Sequence, residues 1–167
     1  MGFDHFRLAF ELVIGNSLTM RLAVANDADT PLVFEEALHT YFHVKDVEKI
    51  SITGLESTGF IDKTDNFREK PALHAPLVLT QFTDRIYPNT AATCTIHDPL
   101  FHRTITIKKH NSNTTVVFNP WKAMPDLGPE EWPGFVCVET VNAAADKVTL
   151  APRSTHVMQA DVTLEKK

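Results

Sequence analysis

Four short segments place titratable side chains beside aromatic ones: residues 37–43, 83–87, 119–122 and 135–140. The last segment carries the clearest chemical signal. If Val136 and Val138 face a core, strand alternation puts Glu139 on the opposite face, together with Cys137. A carboxylate on an apolar face is costly to desolvate unless it is paired, hydrogen-bonded or set at a pocket. Glu139 is therefore a candidate functional carboxylate, and a solvated glutamate on the wet side of a sheet is the alternative.

His39 is the second candidate, because histidine is the usual proton carrier near neutral pH. Its neighbours Tyr41 and Phe42 leave open a second interpretation, a hydrogen-bonded histidine at the edge of a core. His39 and His43 have the spacing of a helical zinc site. The residues between them are strand-like, however, and no glutamate follows His39. The sequence therefore predicts no metal here.

Asp84, Arg85 and Trp121 are candidates for sugar binding. Aromatic faces bordered by Asp and Arg are surfaces against which sugar rings bind. The alternative for Asp84 and Arg85 is an exposed local charge pair, which contributes only about 0–1 kcal/mol. Trp121 and Trp132 are alternatively anchors of a core.

The elements that position these residues are predicted to be strands. Phe6, Leu8, Phe10, Leu12 and Ile14 alternate with other residues, which predicts a half-buried strand, and residues 15–17 supply the turn to a second strand. Further strand-like runs follow along the chain at residues 32–34, 47–53, 77–82, 92–97, 103–108, 114–118, 135–141, 147–150 and 155–164. Helix is limited to single turns at residues 45–48 and 129–132. The pattern predicts an all-β antiparallel sandwich or barrel.

Composition narrows the class of protein. The chain has 167 residues and a net charge of -5, without a dense basic cluster, so nucleic-acid binding is disfavoured. Its apolar runs are far shorter than the ~20 residues of a membrane helix. The first residues lack the features of a secretory signal, and Cys94 and Cys137 fit neither a disulfide framework nor a zinc motif. We expect a soluble, cytoplasmic protein without nucleic-acid or membrane partners.

Several motifs together resemble one family, the aldose 1-epimerases, and within it the hexose-6-phosphate (glucose-6-phosphate) 1-epimerase branch. They occur in the order of the family, at residues 36–42, 54–56, 60–62, 83–87, 119–121, 124–127 and 135–140. The resemblance implies a galactose mutarotase-like β-supersandwich. It also implies an isomerase that needs no cofactor and interconverts the α and β anomers of a sugar or sugar phosphate.

The resemblance also assigns roles to residues. Glu139 matches the catalytic glutamate, which takes the proton of the anomeric hydroxyl as general base. His39 matches the catalytic histidine, which protonates the ring oxygen as general acid. Asp84 matches an acidic residue that contacts sugar hydroxyls. Tyr41, Arg85 and Trp121 lie in the same motifs, and we predict that they contribute to substrate binding.

The chain is much shorter than members of that family, and the strand beginning at Phe6 matches their middle. We therefore predict that residues 1–167 form a single domain, the C-terminal catalytic portion of an N-terminally truncated sandwich. The arginine-bearing segments that hold a 6-phosphate in the family have no counterpart here. The alternative is an inactive relative that serves as a carbohydrate-binding or protein-interaction domain. Sheet edges exposed by missing strands invite self-association.

Overall fold

A computed structural model describes residues 5–125 and 127–166 of the chain. Within these ranges fifteen strands form two large antiparallel sheets and one small one, which confirms the all-β prediction. Helical structure in the same residues is limited to five 3-10 turns of three residues each. No helix in these ranges has the length and hydropathy that a membrane span requires.

The first sheet has six strands, and each pairs antiparallel with its neighbours. In spatial order they are β1 (Phe6–Ile14), β2 (Ser17–Asn26), β15 (Thr155–Lys166), β11 (Arg103–His110), β10 (Cys94–Asp98) and β6 (Ser51–Thr53). The long central strands of this sheet form one side of the core.

The second sheet has seven strands and carries three of the four segments singled out for chemistry. The fourth, residues 119–122, begins at the last residue of one of these strands. In spatial order the sheet contains β4 (Glu36–Leu38), β13 (Phe135–Asn142), β12 (Thr114–Asn119), β9 (Thr83–Tyr87), β7 (Phe60–Asp62) and β8 (Arg68–Lys70). A further strand, β5 (Tyr41–His43), pairs with β13 on the same side as β4. A separate small sheet pairs β3 (Leu32–Phe34) with β14 (Val148–Leu150).

The main core lies between the two large sheets. Ile96 and Ile107 contribute from the first sheet, and Val117, Val136 and Val138 contribute from the second. Their exposed fractions are 4% or less, and burial of each such side chain stabilises the fold by roughly 1.5–3 kcal/mol. The inward position of Val136 and Val138 confirms the alternation read from the sequence.

Strand β1 is present, but the prediction that it is half-buried is wrong. It forms the edge of the first sheet, and its apolar side chains remain exposed on both faces: Leu8 61%, Phe10 57% and Ile14 82% on one face, and Val13 49% on the other. Alternation correctly indicates a strand but does not say what covers its faces. Only Phe6 at its start is partly buried.

Two other strand predictions need correction. Residues 77–82 form no strand, because their backbone pairs with the first sheet only at an isolated bridge between Leu77 and Ile52. Residues 47–53 begin as the 3-10 turn Val47–Lys49 before they enter β6. The Asp46 carboxylate caps that turn by accepting a hydrogen bond from the Glu48 N–H at 2.9 Å.

Candidate active site

Strand β13 holds the centre of the candidate site. It lies between β12 on one side and the β4–β5 segment on the other. Because Val136 and Val138 fill the core, Cys137 and Glu139 project from the opposite face of the sheet. Glu139 is nevertheless only 6% exposed, so its carboxylate lies in a largely dry environment.

His39 lies at the gap between β4 and β5. Leu38 pairs with Thr140 before the gap and Tyr41 pairs with Cys137 after it, so the register is unchanged and His39 is level with Glu139. Within the gap, the Thr40 N–H donates to the Leu38 carbonyl at 3.0 Å, a tight turn that takes the backbone out of the ladder.

The imidazole and the carboxylate meet at hydrogen-bonding range. His39 Nε2 lies 3.2 Å from Glu139 Oε1. The His39 side chain is 47% exposed and that of Glu139 is 7% exposed. One member of the pair therefore faces solvent while the other is held by the sheet.

Asp84 reaches the same face from β9. Phe118 of β12 pairs with Cys137 on one side and with Asp84 on the other, and directly paired residues share a face. Lys63 Nζ lies 2.7 Å from Asp84 Oδ2. The other oxygen, Asp84 Oδ1, is buried without a hydrogen-bond partner among the described residues.

The surroundings tune Glu139 as a proton acceptor. Burial and, to a smaller extent, the Asp84 charge raise the pKa of its carboxyl, Lys63 opposes them, and the net result is a pKa of about 7. A carboxyl group with a pKa near the working pH can both take and return a proton.

Aromatic rings flank the pair. The Tyr41 ring stacks on His39 with centroids 4.9 Å apart, and Phe118 meets His39 edge-on at 6.2 Å. Phe82 packs edge-on against Phe118 at 6.3 Å. These rings give the site an apolar wall and hold the imidazole beside the carboxylate.

The structure separates Arg85 and Trp121 from this group. Arg85 pairs with Val117, whose side chain is in the core, and its guanidinium lies 4.5 Å from the Phe60 ring centroid. Trp121 packs against the core and lies 5.0 Å from Trp132, ring centre to ring centre. One face of the sheet thus gathers His39, Tyr41, Asp84 and Glu139, and Arg85 lies on the other.

Lys63 and Phe118 are site residues that sequence reasoning missed. Lys63 follows the 60–62 motif and begins the 3-10 turn Lys63–Asp65, in which the Thr64 N–H donates to the Asp62 carboxylate at 3.0 Å. Its pairing with Asp84 spans 21 residues of sequence and leaves no local signal. Phe118 ends a β-branched run, and the alternation of β12 could have placed it.

Two substitutions are expected to shift the pKa of Glu139 in opposite directions. Asp84→Asn removes a nearby negative charge and should lower the Glu139 pKa by on the order of one pH unit. Lys63→Met removes a positive charge and should raise it. Carbon-13 NMR of the Glu139 carboxyl against pH measures both shifts. Asp65→Asn, which breaks the Lys70 pair instead, is the control. Equal Glu139 titration curves in all four proteins would contradict this electrostatic account.

One group of side chains at the site has the composition of metal ligands. The donor atoms of His39, Cys137 and Glu139 all lie within 4.8 Å of one another. The prediction of no metal rests on the spacing of His39 and His43, whereas this group forms only when β13 and the β4–β5 gap come together.

Comparisons with known proteins identify relatives of this chain. A protein of Salmonella typhimurium, provisionally named a glucose-6-phosphate 1-epimerase, is 30% identical over 158 residues, which cover 92% of this chain and 52% of the relative. A protein of Cenchrus ciliaris with the same provisional name is 31% identical over 141 residues, 81% of this chain and 42% of its own length. The chain thus spans about half the length of these relatives.

Solved structures share the fold. The crystal structure of a provisionally named mutarotase from Salmonella typhimurium superposes with a TM-score of 0.87 at 28% identity, covering 97% of this chain and 54% of that one. A provisionally named aldose 1-epimerase from Escherichia coli K12 has a TM-score of 0.80 at 17% identity, covering 100% of this chain and 62% of that one. The second likeness concerns the fold alone.

The sequence pattern that defines one family extends over most of the chain. It is described as aldose 1-epimerase and matches residues 5–160, from the start of β1 into β15. The match includes every segment of the second sheet that carries the site. The resemblance read from the motifs is thereby confirmed, and the chain belongs to the aldose 1-epimerase family.

Proposed function

We propose that this chain interconverts the α and β anomers of an aldohexose, with residues 1–167 acting as one catalytic domain. The observation that carries the proposal is the contact of His39 with Glu139 at 3.2 Å on an aromatic-walled face. Ring opening of a sugar needs one proton acceptor and one proton donor acting on two oxygens of the same carbon. A histidine beside a buried carboxylate supplies both.

Ring opening moves two protons. Glu139 takes the proton from the anomeric hydroxyl on C1, and the electron pair of that O–H bond forms the aldehyde C=O. The C1–O5 bond breaks, and O5 takes a proton from the His39 imidazolium. Glu139 ends protonated and His39 neutral, so the charge of the site is conserved.

Closure reverses the roles. Rotation about C1–C2 presents the other face of the aldehyde to O5. His39 then takes the O5 proton as O5 attacks C1, and Glu139 returns its proton to the new anomeric oxygen. A Glu139 pKa near 7 suits a group that must act in both directions near neutral pH.

Substrate contacts follow from unsatisfied groups on the same face. Asp84 Oδ1 is buried without a hydrogen-bond partner in the described part of the chain, and a sugar hydroxyl would satisfy it. Lys63 holds the other Asp84 oxygen at 2.7 Å and fixes the carboxylate. Tyr41 extends the aromatic wall beside His39 and offers a surface for the sugar ring.

We propose a hexose 6-phosphate as the preferred substrate. The support is the provisional name of the relatives at about 30% identity, together with the positive charge of Lys63, whose side chain is 36% exposed beside Asp84. The proposal places this activity in the cytoplasm, where the free, buried thiols Cys94 and Cys137 would remain reduced.

The test of this function is the rate at which the anomers of glucose 6-phosphate exchange. Two-dimensional NMR exchange spectroscopy measures that rate with and without the chain, and unphosphorylated glucose is measured in parallel. We expect faster exchange with the chain present, and faster exchange for the phosphorylated sugar. An exchange rate equal to that of buffer would rule out activity of this chain alone.

A second candidate function, protein interaction, is favoured by strand β1. Its apolar residues are exposed, and the outer edge of residues 7–14 pairs with no other strand among the described residues. Such an edge is suited to pairing with another strand. Antiparallel pairing of two copies about Ala9 would bring Arg7 opposite Glu11 of the partner subunit and Leu8 opposite the partner's Phe10. Opposite charges and apolar side chains would then face one another.

Self-association through β1 is therefore expected to depend on concentration. Sedimentation velocity should show a dimer that grows with protein concentration and is lost in the Leu8→Lys, Phe10→Lys double variant. Val33→Lys, which charges an exposed valine (56%) on the small sheet, should leave the dimer unchanged. A monomer at every concentration, or equal loss in the control, would contradict pairing at β1.

A further inference from the structure

The face of the sheet that gathers His39 and Glu139 also carries a thiol, which the proposed interconversion of anomers does not use. Cys137 lies two residues from Glu139 on the same face of β13, and it pairs with Phe118 on one side and with Tyr41 on the other. With His39 level with Glu139, three different donor types meet: an imidazole nitrogen, a thiol sulfur and a carboxylate oxygen. Their donor atoms all lie within 4.8 Å of one another.

We propose that His39, Cys137 and Glu139 form a binding site for a thiophilic divalent cation of the zinc class. Zinc accepts nitrogen, sulfur and carboxylate oxygen in one coordination sphere, whereas magnesium and calcium favour oxygen ligands. Three protein ligands with a fourth position for water is the arrangement of an open zinc site.

The distances suit such an ion. Bonds of about 2.0–2.3 Å in tetrahedral geometry place neighbouring ligand atoms roughly 3.3–3.7 Å apart. The 3.2 Å between His39 Nε2 and Glu139 Oε1 already fits one edge of the tetrahedron. Other edges need to shorten from at most 4.8 Å, a movement of about 1 Å. Movement of His39 can shorten its edge to Cys137, since its side chain is half exposed and lies at a gap between strands. The edge between Cys137 and Glu139 must shorten through rotation of those two side chains.

The charges of the ligands can balance the charge of the ion. Zn²⁺ binding to the Cys137 thiol forms a metal–sulfur bond and releases the thiol proton to solvent. The thiolate and the Glu139 carboxylate together then neutralise the two positive charges. A neutral complex is the form that a dry environment tolerates best, and Cys137 is fully buried while Glu139 is nearly so.

The ion would occupy the same two atoms that the proposed proton transfer needs. Zinc should therefore act as a reversible inhibitor that competes with the sugar. This consequence rests on the proposed function, whereas the binding of the ion does not.

Cobalt(II) titration in the absence of sugar tests the site directly. A thiolate ligand gives Co²⁺ a near-ultraviolet charge-transfer band, and tetrahedral geometry gives intense visible bands. We expect one Co²⁺ per chain with both signatures, displaced by Zn²⁺. Exposed histidines elsewhere could bind Co²⁺ but would not produce the sulfur band.

Two cysteine variants make a matched pair, since both thiols are free and buried. Cys137→Ala should abolish the charge-transfer band and weaken binding by at least about tenfold. Cys94→Ala, in β10 of the first sheet, should retain the charge-transfer band and the original affinity. His39→Ala should also weaken binding at least about tenfold. Because the His39 side chain is half exposed, this variant tests the site without altering the core, even if the Cys137 variant misfolds. No sulfur band in the unmodified chain, or a band that survives Cys137→Ala, would overturn the proposal.

Inhibition is measured separately. Addition of Zn²⁺ should slow anomer exchange and a chelator should restore it. If no sample catalyses exchange, the proposed function fails while the cobalt spectra still decide whether the site exists.

Discussion

Glu139→Gln is expected to slow catalysed anomer exchange by about 10²–10⁴-fold, the usual contribution of one positioned acid or base. Glutamine preserves the shape of the side chain and can still contact His39, but it cannot take the proton of the anomeric hydroxyl. The carboxyl is 6% exposed and 3.2 Å from the imidazole, so solvent has poor access to replace it. Exchange spectroscopy at saturating glucose 6-phosphate measures the loss.

Two further variants make this result specific. Glu165→Gln changes an exposed glutamate on β15 of the first sheet and should leave the exchange rate unchanged. His39→Ala should lose a similar factor, and the double variant should lose little more than either single one, because groups that act as a unit are not additive. A Glu139→Gln protein with more than half of the original rate would contradict the role of this residue as base.

The second large effect concerns Glu36 and the pH dependence of stability. Its side chain is only 5% exposed, and both carboxylate oxygens are buried without a hydrogen bond among the described residues. His156 Nε2 lies 3.1 Å from Oε1. Burial raises the pKa of Glu36 to about 7 and lowers that of His156, so near pH 7 this is substantially a neutral contact.

A raised pKa in the folded state fixes the sign of the effect. The folded protein binds the Glu36 proton more tightly than the unfolded chain does. The resulting stability is fully present below the ordinary pKa of 4.5 and is lost as pH rises through about 7. At pH 8 the buried charge therefore destabilises the fold, by on the order of 2 kcal/mol.

Glu36→Gln should remove this pH dependence. Urea unfolding should show a variant that is more stable than the original chain at pH 8 by about that amount and close to it or less stable at pH 5. Glu35→Gln changes the adjacent, exposed glutamate and serves as the control. Equal effects of Glu36→Gln at both pH values would show that the carboxyl does not titrate in this range.

Much of the fold follows from alternation along the chain. The period-two pattern predicts an antiparallel all-β sandwich, and the inward position of Val136 and Val138 separates Glu139 from the core. Alternation does not reveal which layer covers a strand or which strand pairs with it. Strand β1 alternates but has no covering layer in the described structure, and residues 77–82 are strand-like but pair only at Leu77.

The candidate site was less accessible to sequence reasoning. The motifs identify His39, Asp84 and Glu139, but only the sheet register brings them to one face. Adjacent residues of a strand point to opposite faces, so alternation alone could have separated Arg85 from Asp84. The Lys63 ion pair depends on two distant segments, and no local pattern indicates it.

The gap around His39 limits which insertions and deletions this segment can accept. The segment leaves the ladder after Leu38 and re-enters at Tyr41 in the same register, so two residues bridge the gap. Loss or gain of one residue there would turn Phe42 out of the core and His43 into it, because a one-residue slip exchanges the faces of a strand. Substitutions at positions 39 and 40 leave the register of the strands unchanged, whereas single-residue insertions and deletions shift it. The number of residues in this turn, more than their identity, determines the register of the strand that follows.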